Sequence, residues 1–429
     1  MGRLKEISRD RLFLFPNVTT EGVYNSISQS ILYYSINRKD LSNILENPLD
    51  LGSIRKARLL VHEITHFIDH ISTLHGQNSL NLICNSLNAM ESGTEIDYHH
   101  IIKMSNELKT YSYEKYYKQL SGIPAKGGKE KDWEFKSSIG CRFNINGEVD
   151  RTKPIIFSQF FYQKEFIGRI PLSIESLWET SAMATEVKLH LEALVELENN
   201  DEQLIEKFKF ERESFTWLYN SELLTYSTAA HFVSGLLKIS DIYTGLCLSK
   251  LLALISLNFP KEYVPLLKHG NYLNLPRESK KAFLTTNDPS YIFYRLVRNI
   301  QFSNENILLE NGEFDVEKIL KINGLPSQQD FEQRVINSME DISKKITKTP
   351  ISDDIKKWLD FGTFYFKEFG LNAYELTPLH FIEFARSNKL PLMFDEDDYD
   401  AEKNPIVTRE YYIFSLEKRI QDFISACGY

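Results

Sequence analysis

Residues 53–76 read SIRKARLLVHEITHFIDHISTLHG. Ile54, Ala57, Leu60, Val61, Ile64, Phe67, Ile68 and Ile71 recur at spacings of three and four, which predicts a helix over 54–75. Ser53 stands where an N-cap is expected, and Gly76 where the helix is expected to stop. The middle of this helix is His62-Glu63-Ile64-Thr65-His66. Two histidines four residues apart lie one above the other, offset by about 40°. Both imidazoles can then reach one tetrahedral ion at about 2.0–2.1 Å. Glu63 follows the first histidine, so it falls beside such an ion rather than on it and can move a proton to or from water.

An HExxH pattern arises by chance in about one or two such chains in a hundred, so its context decides. Leu59-Leu60-Val61 before it and Phe67-Ile68 after it place it on a helix suited to burial. A catalytic zinc needs a third protein ligand. His70 lies about 12 Å along the axis from His62, too far for a straight helix to put all three on one ion. His75, near the helix end, is placed worse. The spacing HExxHxxGxxH fails, because Asp69 holds its glycine position and Ser72 its last histidine position. A glutamate from a second helix is the remaining common solution.

Such a helix is expected over about 174–199, capped by Ser173 and carrying Leu177, Trp178, Ala182, Leu189, Leu191 and Leu194. Glu179, Met183, Glu186 and His190 fall on one stripe of it. His62-Glu63-x-x-His66 followed by Glu179-Thr180-Ser181-Ala182 resembles gluzincin-type zincin metallopeptidases, in which a downstream helix carries the ligand glutamate in an ExxA pattern. The resemblance implies Zn2+ held by His62, His66 and Glu179, with Glu63 as the catalytic base and a peptide or protein as substrate. By analogy with cytoplasmic bacterial members, it implies a regulatory or defence protease. It covers two short helices, 113 residues apart from His66 to Glu179, and does not extend to residues 200–429. With Glu179 on the metal, Glu186 or Asp69 can orient a ligand histidine by accepting its free N–H. His190 is an alternative ligand. Tyr226, His231 and Tyr243 are candidates to stabilise a developing oxyanion.

The 429 residues are 42% hydrophobic and 25% charged, as expected of a globular chain long enough to bury its own core. The net charge of −9 argues against a broad nucleic-acid surface. Cys84, Cys141, Cys247 and Cys427 are far apart, which points to a reducing compartment rather than a disulfide framework or a cysteine-based metal site. No apolar stretch follows the first charges, so no signal peptide is expected. The run Leu246–Phe259 is too short and polar to span a membrane. A cytoplasmic protein is expected, of open oligomeric state.

Elsewhere, Arg11–Phe15 resembles a strand, Ile31–Ser35 a second strand or a helix end, 78–91 and 96–119 resemble helices, and Ser121–Asp132 resembles a loop. Residues 134–172 are expected to form two to four strands with a two-residue turn at Asn146-Gly147. Their edge is a candidate to bind substrate as an added strand. From about 203 the pattern is helical, with an acidic loop at Phe394–Pro405 that lacks the glycine and closing glutamate of a calcium loop. His99-His100 point to different faces and suit a surface.

The expected fold class is α+β, mainly α. A zincin-like core over 1–200, with a small sheet and an insertion at about 120–172, precedes a helical part over 201–429 suited to substrate or partner recognition. The competing expectation is a sensor or partner-binding protein that keeps the scaffold without catalysis.

Overall fold

A helix that buries every side of itself must lie inside the molecule, and two such helices set this architecture. The computed structural model describes residues 21–92, 94–113, 115–121, 133–144, 146–268, 276–346, 349–387, 390–397 and 404–428. These hold 15 α-helices and seven strands, an α+β fold that is mainly α. The strand expected at Arg11–Phe15 and all but the first residue of the loop expected at Ser121–Asp132 lie outside the described residues.

One sheet has the order β1-β2-β7, from β1 (Gly22–Asn25), β2 (Ser30–Tyr33) and β7 (Leu392–Phe394). β1 and β2 are antiparallel, and β7 joins β2 in parallel, Ile31 opposite Leu392. The other sheet has the order β3-β6-β5-β4, from β3 (Gln119–Leu120), β4 (Trp133–Phe143), β5 (Val149–Tyr162) and β6 (Glu165–Pro171). The β4–β5 connection is longer than the expected two-residue turn. Asn144 Oδ1 accepts the backbone N–H groups of Asn146 and Glu148, and Gly147, at φ 78°, donates to the Asn144 carbonyl. The asparagine side chain thus closes a wider loop.

The helices of the first half are α1 (Arg38–Glu46), α2 (Ile54–Ser72), α3 (Leu74–Ser92), α4 (His99–Leu108) and α5 (Ile174–Val195). Every residue of α2 from Leu60 to Ser72 is buried, as is every residue of α5 from Ile174 to Thr185. The two pack on each other. Ser173 caps α5 through a reciprocal box with Ser176. Ser53 precedes α2 without capping it; its own N–H and hydroxyl turn back to Asp50. The chain breaks at Thr73, three residues before Gly76, and α3 starts at once. Gly76 is inside α3, where a Cβ would lie 2.0 Å from the His70 carbonyl oxygen. Close approach of two backbones, not helix termination, requires glycine there. The helix expected over 96–119 is confined to α4.

The second half adds α6 (Asn200–Leu218), α7 (Leu224–Leu237), α8 (Ile242–Leu257), α9 (Arg277–Thr285), α10 (Pro289–Ser303), α11 (Val316–Ile322), α12 (Gln328–Lys345), α13 (Pro350–Phe369), α14 (Leu379–Arg386) and α15 (Pro405–Ala426). α7 and α8 cover α5, and α13 crosses α2. The main apolar core runs from Tyr24 to Ile424 and draws on both sides of position 200. Among the described residues no single helix is long and apolar enough to cross a membrane. The stretches Ser221–Leu237 and Ile242–Leu257 are apolar enough only as a pair bent by 107°.

Candidate metal centre

α2 and α5 meet along polar faces buried in an apolar core, an arrangement that costs free energy unless those groups are paired or hold an ion. His62 and His66 project from successive turns of α2. Their Nε2 atoms lie 3.0 Å apart and their rings cross at 87°. Glu179 comes from α5. Its Oε2 is 3.5 Å from His62 Nε2, and its Oε1 is 3.5 Å from His66 Nε2. Ligand atoms of the three side chains all lie within 4.8 Å of one another. His66 and Glu179 are fully buried.

These residues fit a zinc ion on two grounds. First, four tetrahedral ligands at zinc distances are spaced by about 3.3 Å, and these are 3.0–3.5 Å apart. Second, both carboxylate oxygens of Glu179 are buried without a hydrogen-bond partner. A fold rarely keeps such an acceptor without a use for it. Two imidazoles and one carboxylate are also a donor set of catalytic zinc.

Glu63 lies a quarter-turn round α2 and is 2% exposed. β1 holds it: the backbone N–H of Tyr24 donates to its carboxylate, while Oε2 remains without a partner. A Cβ on Gly22 would come within 3.2 Å of Glu63 Cγ, so the strand lies directly against this side chain. Two tyrosines tie the sheet to α2. Tyr33 donates to the Leu60 carbonyl at 2.9 Å, and the Tyr24 hydroxyl meets His70 Nδ1 at 2.7 Å. Burial pushes the Glu63 carboxyl up to about 7, against the opposing pull of His62 and the Tyr24 N–H.

A chain of charges reaches His62 from outside. Glu186, two turns beyond Glu179, meets His62 Nδ1 at 2.5 Å. Arg58 lies 3.5 Å from Glu186 and 3.1 Å from Glu213, and its guanidinium sits over the Phe210 ring. Burial alone would push the His62 imidazole down, but Glu186, Glu179 and Glu63 together raise it to about 10. Burial and the neighbouring His62 hold His66 well below its ordinary value. Burial pushes Glu179 well above the usual carboxylate range. The Nδ1–Glu186 bond leaves His62 Nε2 facing His66 and Glu179, the orientation a metal ligand needs.

Of the other residues singled out in the sequence, Asp69 is turned to Ser181 and Lys250. His190 stacks on Phe210 at 3.7 Å. His70 is engaged by Tyr24, and His75 packs against Tyr111 and Trp178. His231 meets the Leu218 carbonyl among the Trp133, Tyr219 and Phe160 rings. Tyr226 packs against the small apolar cluster of Met183, Val187 and Phe210. His62, His66, Glu179 and Glu186 are the predicted residues that the fold brings together, with Glu63 alongside. Sequence reasoning missed Arg58, although it precedes His62 by one turn on the same stripe. It also missed Gly22 and Tyr24, which no local pattern connects to residue 63.

Comparison with protein-family models, curated proteins and solved structures gives no match.

Proposed function

We propose that the chain is a zinc-dependent peptidase of zincin type, with His62, His66 and Glu179 as ligands. The observation that carries this reading is the convergence of those three side chains around a buried carboxylate with no hydrogen bonds of its own, beside Glu63. Zinc bound there supplies a Lewis acid and makes a water acidic enough to react near neutral pH. Glu63 accepts the proton from the attacking water and passes it to the departing amine nitrogen, so the peptide bond gains one water in total. The Tyr24 N–H fixes one oxygen of Glu63, and the other is free for this transfer. Glu186 holds the His62 ring in one orientation, and Arg58 holds Glu186.

A protein substrate and a reducing, cytoplasmic setting complete the proposal; all four cysteines are free. The test compares protein N-termini in cells expressing the wild type or the Glu63→Gln variant. New N-termini confined to the wild type are the expected result. Identical sets of N-termini, with zinc bound in both proteins, would remove the peptidase reading.

A further inference from the structure

Helix α6 is poorly embedded. Of its 19 residues only Phe210, Ser214 and Leu218 are buried, and none is buried from Asn200 to Lys209. Yet these clear turns are not polar. Leu204, Ile205 and Phe208 are 67%, 54% and 67% exposed, and Val195, at the end of α5, is 70% exposed. Leu204 and Phe208 share one side of the helix, and Ile205 adjoins them. Gln203 donates to the Leu194 carbonyl, which folds the start of α6 back onto the end of α5. Single exposed apolar side chains are ordinary; four at one helical corner mark an interaction surface.

The charge around this corner is one-sided. Residues 195–209 hold five acidic side chains against two basic, a net −3, and one of the two bases, Lys209, is already paired with Glu206. The other end of the helix reaches the metal centre: Glu213 meets Arg58 at 3.1 Å, and Phe210 carries the same guanidinium.

We propose that the exposed face of α6, with Val195, docks a protein segment of opposite character: an amphipathic segment with apolar anchors flanked by lysine and arginine. The apolar anchors cover Leu204, Ile205 and Phe208, and the bases meet the surrounding carboxylates. The surface stands on α6 and the end of α5 and is independent of the peptidase reading. Its continuity with Arg58 makes a docked chain a neighbour of the metal centre.

The test uses two synthetic 18-residue amphipathic peptides with one apolar face, one carrying lysine and arginine and the other glutamate. Binding is measured by fluorescence anisotropy to the full chain in a Glu63→Gln background, which keeps the peptide intact. The basic peptide is expected to bind at least about 10-fold tighter than the acidic one, and to weaken several-fold as salt is raised. The double variant Leu204→Asp/Phe208→Asp is expected to lose at least about 10-fold while keeping its zinc content and helical circular dichroism. Equal binding of the two peptides, or undiminished binding to the folded double variant, overturns the proposal. So does a wild-type dimer in sedimentation that the double variant abolishes, which would assign the surface to a second copy. Binding to zwitterionic vesicles that depends on the same residues would assign it to a membrane.

Discussion

Glu179→Met is expected to change the sign of its effect on stability with the metal. Glu179 is fully buried, both oxygens lack hydrogen bonds, and burial keeps the carboxyl well above its ordinary pKa. A buried polar group without a partner costs about 1–3 kcal/mol. Methionine is unbranched, of similar length and a good helix former, so it fills the space without that cost. In chelator the variant should therefore exceed the wild type by about 1–2 kcal/mol. With the proposed ligand set, zinc held at 1,000 times its Kd should stabilise the wild type by about 4 kcal/mol, and the variant should forgo this. In zinc the variant should then be the less stable by about 2–3 kcal/mol. Urea denaturation followed by circular dichroism, with chelator and with zinc, measures both differences. A variant less stable than the wild type under both conditions would refute the reasoning, because Glu179 would then be a structural residue rather than a ligand kept at a cost.

Three further outcomes follow from the surroundings of the site. Glu186→Gln weakens the hold on His62 Nδ1 and should lower zinc affinity by about 10–100-fold, measured by competition with a chromophoric chelator; unchanged affinity would remove Glu186 from the site. Gly22→Ala puts a methyl group 3.2 Å from both Glu63 Cγ and the Tyr33 ring, so turnover should fall about 10–100-fold at constant zinc content, and full activity would show that Glu63 needs no such fit. Lys250, pushed down to about 8 by burial, donates to Thr185 Oγ1 at 2.9 Å and shares a small cavity with Asp69, pushed up to about 6 by burial. Lys250→Met alone should cost about 1–2 kcal/mol above neutral pH by leaving the Asp69 carboxylate without a nearby cation, and Lys250→Met/Asp69→Asn should recover most of it; a double variant no better than the single would deny the coupling. The sign with pH follows from Asp69, whose folded value lies above its ordinary 3.8. The folded chain keeps a proton that the unfolded chain loses, so stability falls as pH rises through about 4–6. Lys250 holds Asp69 down, so its removal raises the folded value further, and the single variant's deficit should appear above about pH 6 and shrink as pH falls through it.

What the sequence disclosed is what short-range periodicity encodes. The spacing of His62 and His66 lies within one helix, and the stripe from Glu179 to Glu186 lies within another, so both could be read without knowing how the helices meet. The Ser173 cap was legible for the same reason. Features made by distant segments were not. β7 is three residues long and pairs with β2 across 361 positions, from Ile31 to Leu392. The hold of Tyr24 on Glu63 uses a backbone N–H, which any residue offers, so side-chain identity carries no trace of it. Gly76 looked like a helix stop because a C-terminal glycine and a glycine under a crossing backbone are the same letter. The wider β4–β5 loop depends on Asn144 outcompeting Asn146-Gly147 for the turn, a contest that strand ends settle rather than the dipeptide itself.

The central claim is that residues 62, 66 and 179 hold one zinc ion. Zinc-edge X-ray absorption of the purified, stoichiometrically loaded chain tests it most directly. The expected spectrum shows two imidazole rings and only nitrogen or oxygen neighbours at about 2.0–2.2 Å. A sulfur neighbour at about 2.3 Å, or a shell with fewer than two imidazoles, would place the metal elsewhere and contradict the site.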